Sequence, residues 1–81
     1  MANVLTRLAR KIEARKGGDE KNSYAAKLFA RGPYKCAEKF GEEAVEAIIA
    51  AAKDDPKNLT EEAADVLFHM LIMLSSRGVK W

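Results

Sequence analysis

The sequence predicts an all-α fold: a bundle of four to five helices that assembles as a dimer. Three observations predict it. Apolar residues recur at helical spacing through most of the chain, the interruptions are glycines, prolines and capping residues of the kind that start and stop helices, and no stretch of useful length alternates as a strand does. With 81 residues the chain has room for one domain, spanning 1–81, whose core alone is of marginal stability.

Asn3 is placed to cap a first helix that runs to about Lys16, with Val4, Leu5, Leu8, Ala9 and Ile12 as its apolar stripe and Arg7, Arg10 and Lys11 opposite. Gly17-Gly18 stops it. Ser23 caps a short second helix, Tyr24 to about Ala30, anchored by Leu28 and Phe29. Gly32 closes that helix and Pro33 opens a third, reaching about Lys53, with Ala37, Gly41, Val45, Ile48, Ile49 and Ala52 on its apolar face. Gly41 inside this helix costs about 1 kcal/mol relative to alanine, so a close helix approach or room for a ligand beside Glu42 is expected there. Asp54-Asp55-Pro56 breaks the chain. Thr60 then caps a fourth helix, with Leu59 as its staple, that runs to about Arg77 and is closed by Gly78. From Val66 to Leu74 this last helix is apolar almost all round, which calls for burial on most sides. Three short helices cannot surround it, so a second subunit is expected to cover the rest, giving a homodimer or a higher homo-oligomer.

The 14 basic and 12 acidic residues nearly balance, so there is no nucleic-acid footprint. The one cysteine, Cys36, excludes an internal disulfide, suits a reducing cytoplasm and reads as a structural thiol. No apolar run is long enough to span a membrane or to serve as a signal core. P-loop, CxxC, G-x-S-x-G and HExxH patterns are all lacking.

The chemistry is concentrated between Lys39 and Asp65. Glu43 and Glu46 form an E-x-x-E pair with Glu42 beside it, and Glu62 and Asp65 form an E-x-x-D pair with Glu61 beside it. At 100° per residue, Lys39, Glu42, Glu43 and Glu46 share an arc of roughly 100°, and Glu62, Asp65 and His69 share one of roughly 60°. Phe68 and Ile72 border the second arc on one side, Val66 and Met73 on the other. A carboxylate set into an apolar surround must be paired, protonated or metal-bound. Two facing pairs with oxygen ligands only suit Mg²⁺, or Mn²⁺ in its place, rather than zinc. A plainer account is that Glu61 and Glu62 offset a helix dipole and that Glu42, Glu43 and Glu46 are a solvated face. Lys27 and Arg31, four apart, lie on one helix face where they could jointly meet an anion, or be solvated. His69 reads as a core histidine hydrogen-bonded within the bundle.

Ser23-Tyr24-Ala25-Ala26-Lys27-Leu28, then Lys39-Phe40-Gly41-Glu42-Glu43-Ala44-Val45-Glu46, then Glu61-Glu62-Ala63-Ala64-Asp65-Val66-Leu67-Phe68-His69, resemble the phosphoribosyl-ATP pyrophosphatase family over nearly the whole chain. That family belongs to the all-α nucleoside triphosphate pyrophosphatase, or MazG-like, superfamily. The two acid motifs mark the superfamily; the S-Y-x-A-K-L segment and the D-x-L-x-H run favour the histidine-biosynthesis branch. The resemblance implies Mg²⁺-dependent hydrolysis of the α–β phosphoanhydride of 1-(5-phosphoribosyl)-ATP, with Glu43, Glu46, Glu62 and Asp65 as metal ligands. It implies that Glu42 is an acid beside them or the base that activates water, and that Lys27 and Lys39 lie near the substrate phosphates. Members often continue past the position of Gly78 with a further segment, whereas this sequence stops at Trp81. The competing readings are a housecleaning pyrophosphatase of (deoxy)nucleoside triphosphates on the same fold, and a noncatalytic helical dimerisation module. A di-iron bundle is disfavoured, because no E-x-x-H occurs.

Overall fold

The computed structural model describes residues 3–81. It contains four helices: α1 (Val4–Glu13), α2 (Tyr24–Arg31), α3 (Pro33–Ala52) and α4 (Pro56–Ser76). There is no strand among the described residues. The local signals act where they were read at three of the four starts. The Asn3 side chain accepts from the Thr6 amide at 2.8 Å, and Ser23 Oγ accepts from the Ala26 amide at 3.1 Å. Pro33 opens α3 directly after Gly32, whose φ of 94° suits only glycine.

Two boundaries differ from the sequence reading. α1 stops at Glu13 rather than near Lys16, and residues 14–17 continue as turns before Gly17 takes a φ of 72°. α4 starts a turn earlier than expected: its cap is Asp55, which accepts from the Asn58 amide at 3.2 Å, with Pro56 as the first helical residue. Thr60 is therefore no cap. It sits inside the helix, where its hydroxyl donates to the Pro56 carbonyl at 2.8 Å. Among the described non-glycine residues Asp54 alone takes the left-handed conformation, with φ of 55°, and it turns the chain between the two long helices.

α3 and α4 make the largest helix–helix contact, and α1 and α2 pack against this pair. The core is small: Ile12, Ala25, Leu28, Cys36, Leu71 and Ile72, with Leu8, Ala9, Phe29 and Phe68 around them. Cys36 is fully buried and its thiol donates to the Leu28 carbonyl at 3.5 Å, the structural role expected of it.

The apolar face read for α3 does not enter this core. The buried residues of α3 are Cys36 and Ala50, while Val45, Ile48 and Ile49 are 54%, 66% and 47% exposed. The apolar stripe lies roughly 150° around the helix from the Cys36–Glu43–Ala50 line that meets the rest of the chain. Nothing lies within 4 Å of where a Cβ on Gly41 would stand, so no helix approach inside the chain accounts for that glycine.

The cap assignment makes a prediction. Asp55→Ala lowers unfolding free energy by about 1 kcal/mol, as loss of a helix cap does. Thr60→Ala stays within about 0.5 kcal/mol of the parent. Urea denaturation of the two variants checks the order; a larger loss at Thr60 would restore the later helix start.

Candidate active site and cation-binding cluster

The long helices bring the two acid motifs together. Glu43 of α3 and Glu62 and Asp65 of α4 each offer an oxygen within 4.8 Å of the others. Glu43 and Glu62 are half-buried and Asp65 is exposed. Glu46, one turn after Glu43, reaches the side chains of both Glu43 and Glu62. The four acids therefore converge from two helices, as their spacing allows, although Asp65 is not embedded in apolar surroundings as expected.

The electrostatics are those of like charges held together. Desolvation first, then Glu46, Glu43 and Asp65, pushes the Glu62 carboxyl up to about 7. Desolvation and Glu46 also raise Glu43. Glu62 Oε2 is buried with no hydrogen-bond partner. Two ionised carboxylates have no proton to share, so the Glu46–Glu62 contact needs either a proton or a cation. An orphaned buried oxygen in an all-oxygen donor set fits a hard divalent cation.

Lys39 Nζ is 3.0 Å from Glu42 Oε2, and that hydrogen bond holds the lysine firmly protonated. Lys27 and Arg31 are exposed on α2, and neither makes an ion pair among the described residues. Arg31 acts on Glu38, near the start of α3.

Sequence reading missed Tyr24. Its hydroxyl lies 2.9 Å from His69 Nε2, and its ring stacks on Phe68 with centroids 6.1 Å apart. His69 is buried, as expected, and its Nδ1 lies 2.7 Å from the Asp65 carbonyl oxygen. A carbonyl only accepts, so Nδ1 carries the hydrogen; in the neutral ring Nε2 then accepts from the Tyr24 hydroxyl. The available signals were the tyrosine directly after the Ser23 cap and the lone histidine one turn after Asp65.

Four helices with carboxylates converging from the two longest define the class: an all-α domain with a candidate site for a divalent cation. Comparison with known proteins narrows it. The family model described as phosphoribosyl-ATP pyrophosphohydrolase matches residues 5–81. A protein of Rhodobacter capsulatus named phosphoribosyl-ATP pyrophosphatase is 67% identical over 76 residues, covering 94% of this chain and 74% of the relative. Relatives with the same name from Cereibacter sphaeroides and Dinoroseobacter shibae are each 64% identical, covering 94% and 95% of this chain and 74% and 76% of their own lengths. The chain belongs to the phosphoribosyl-ATP pyrophosphohydrolase family.

The raised carboxyls set the sign of a pH effect. Below the ordinary 4.5 both groups are neutral whether the chain is folded or not. As pH rises from there toward about 7, the unfolded chain ionises first and the fold loses stability, and above that the loss is constant. Glu13 and Glu38, whose carboxyls are lowered, oppose this only below about 4.5. Chelator-treated protein should therefore melt at a lower temperature at about pH 8 than at about pH 5.5, and Glu62→Gln should flatten the difference. Calorimetry at the two pH values checks this; parallel curves for parent and variant would show that Glu62 is not strained.

Proposed function

We propose that this chain is the phosphoribosyl-ATP pyrophosphohydrolase of histidine biosynthesis, one helical domain that cleaves the α–β phosphoanhydride of 1-(5-phosphoribosyl)-ATP to the AMP derivative and pyrophosphate. Family membership and relatives of that name at 60% identity or more support the activity and substrate. The observation in the structure that carries the reading is the convergence of Glu43, Glu46, Glu62 and Asp65, with an unpartnered oxygen on Glu62.

Those four residues would hold Mg²⁺ or Mn²⁺. When bound, the cation supplies charge that lets a polyanion sit among carboxylates and offsets the charge that develops in the transition state. Glu42, exposed and adjacent in sequence to Glu43, would accept the proton of an attacking water. Lys39, tied to Glu42, offers its remaining ammonium hydrogens to the departing pyrophosphate. Lys27 and Arg31 would meet the substrate's phosphates from α2, on the solvent side.

The working unit is a homodimer. A second apolar line runs along α4 through Ala63, Val66, Leu67, Met70 and Met73, away from buried Leu71, Ile72 and Ser75, and with the stripe of α3 it leaves both long helices half-covered. The surface of 5694 Å² compares with about 4,850 Å² for an ordinary folded protein of 9.0 kDa. The excess is close to the ~800 Å² that one partner buries in a standard interface. The radius of gyration, 13.2 Å, likewise exceeds the ~12 Å of a compact chain of this length.

Two outcomes follow. Glu46→Gln and Asp65→Asn should each fold normally and abolish Mg²⁺-dependent pyrophosphate release from phosphoribosyl-ATP; release from deoxynucleoside triphosphates alone would move the substrate to the housecleaning reading, and normal turnover by either variant would remove that residue from the site. Ile48→Glu should sediment as a monomer where the parent sediments as a dimer at micromolar concentration, and a monomeric parent would refute the assembly.

A further inference from the structure

One turn of α4 carries two of the four acids, Glu62 and Asp65, and a buried ring holds its backbone. His69, 5% exposed, places Nδ1 2.7 Å from the Asp65 carbonyl oxygen. In a helix that carbonyl already accepts the amide four residues on. The ring nitrogen gives it a second hydrogen bond, so both lone pairs of the Asp65 carbonyl are used.

The ring itself is held at its far end. With hydrogen on Nδ1, Nε2 of the neutral ring is an acceptor, and the Tyr24 hydroxyl, 2.9 Å away, donates to it. The Tyr24 and Phe68 rings stand edge-on to the imidazole, with centroids 5.6 Å and 5.4 Å from it. Without the hydroxyl, Nε2 would be a buried acceptor with no partner, a cost relieved only if the ring swings toward water and lets go of the carbonyl. Among the described residues, the Tyr24–His69 bond is the only side-chain hydrogen bond between α2 and α4.

The turn that this ring holds is one under load. Glu43, Glu62 and Asp65 bring oxygens within 4.8 Å of one another, and uncompensated charges at that separation repel. Rolling α4 away from α3 would relieve the repulsion and scatter the acids. A tether on the backbone of the acid-bearing turn resists that roll.

We propose that Tyr24 and His69 are positioning residues for the cation-binding cluster: held at Nε2 by the Tyr24 hydroxyl, the His69 ring clamps the Asp65 carbonyl and so sets the turn of α4 that carries Glu62 and Asp65. Both act through Asp65, and neither is itself a ligand. The inference rests on the reading of the four acids as a divalent-cation site. A purely structural role, filling the bundle and satisfying a buried nitrogen, would affect melting alone.

The test is Mn²⁺ binding by the free protein at about pH 8, where the imidazole is neutral, followed by loss of the electron paramagnetic resonance signal of free Mn²⁺. Tyr24→Phe keeps the ring and removes only the hydroxyl. It should raise the Mn²⁺ Kd about tenfold or more, as losing a hydrogen-bond partner behind a metal ligand does. His69→Phe should weaken binding at least as much, and adding Tyr24→Phe to it should change nothing further, because Tyr24 acts through His69. In metal-free Tyr24→Phe the Asp65 carbonyl carbon resonance should move. Ile12→Val, a truncation of the core in α1, should lower the melting temperature and leave both the Kd and that resonance in place. Where His69→Phe does not fold, Tyr24→Phe alone decides. A parental Kd in Tyr24→Phe, an unmoved Asp65 resonance, a further loss in the double variant, or an equal rise in Kd for Ile12→Val would each overturn the positioning role. A parent that binds no Mn²⁺ would instead overturn the cation reading of the four acids, and this role with it.

Discussion

The rest of the structure depends on one constraint: α3 and α4 must pack closely while carrying Glu43, Glu46, Glu62 and Asp65 at their seam. The chain tolerates this by leaving the acids partial access to water. Glu43 and Glu62 are half-buried and Asp65 and Glu46 are exposed, so no carboxylate is wholly sealed from solvent. The remaining strain appears on Glu62, whose carboxyl is pushed up to about 7 and one of whose oxygens has no partner. A fold optimised for stability alone would put an apolar residue there. In the site proposed here, strain of this kind is relieved by whatever positive charge enters.

The same constraint explains the outer surface. Because the inward face of α3 is given to Cys36, Glu43 and Ala50, the large apolar residues of that helix point away from its own subunit. Gly41 lies on that outward stripe, with open space around its Cβ position. A chain with so small a core is marginal by itself. In the dimer proposed here, the second copy both covers the stripe and steadies the two helices that carry the acids, so stability and site geometry would rise together with assembly.

How much of this was legible in the sequence depended on how local each feature was. The Ser23 cap and Pro33 at the start of α3 were readable because each acts within one turn. The start of α4 was not, because Asp55 and Thr60 are both competent caps; Pro56, taken as a breaker, serves in the first helical turn just as Pro33 does. The convergence of the acids was legible from i, i+3 spacing, since two helices joined by a short break return side by side. Which face of α3 turns inward was not, because apolar periodicity marks a face that is buried without saying against what. Tyr24 escaped for a related reason: its partner His69 is 45 residues away, and nothing near either residue announces the other.

Those nonlocal contacts suggest why a short helix such as α2 is kept between longer ones. It contributes Ala25, Ala26 and Leu28 to the buried interior, but its first residue after the cap reaches His69. Ser23 fixes where α2 begins, and so fixes where the Tyr24 ring lies on Phe68 and where its oxygen meets His69. A cap in one helix thus sets the position of a polar atom at the seam of two others. The Tyr24 side chain is held by backbone geometry at one end and by a buried histidine at the other. That arrangement lets an exposed tyrosine keep one orientation.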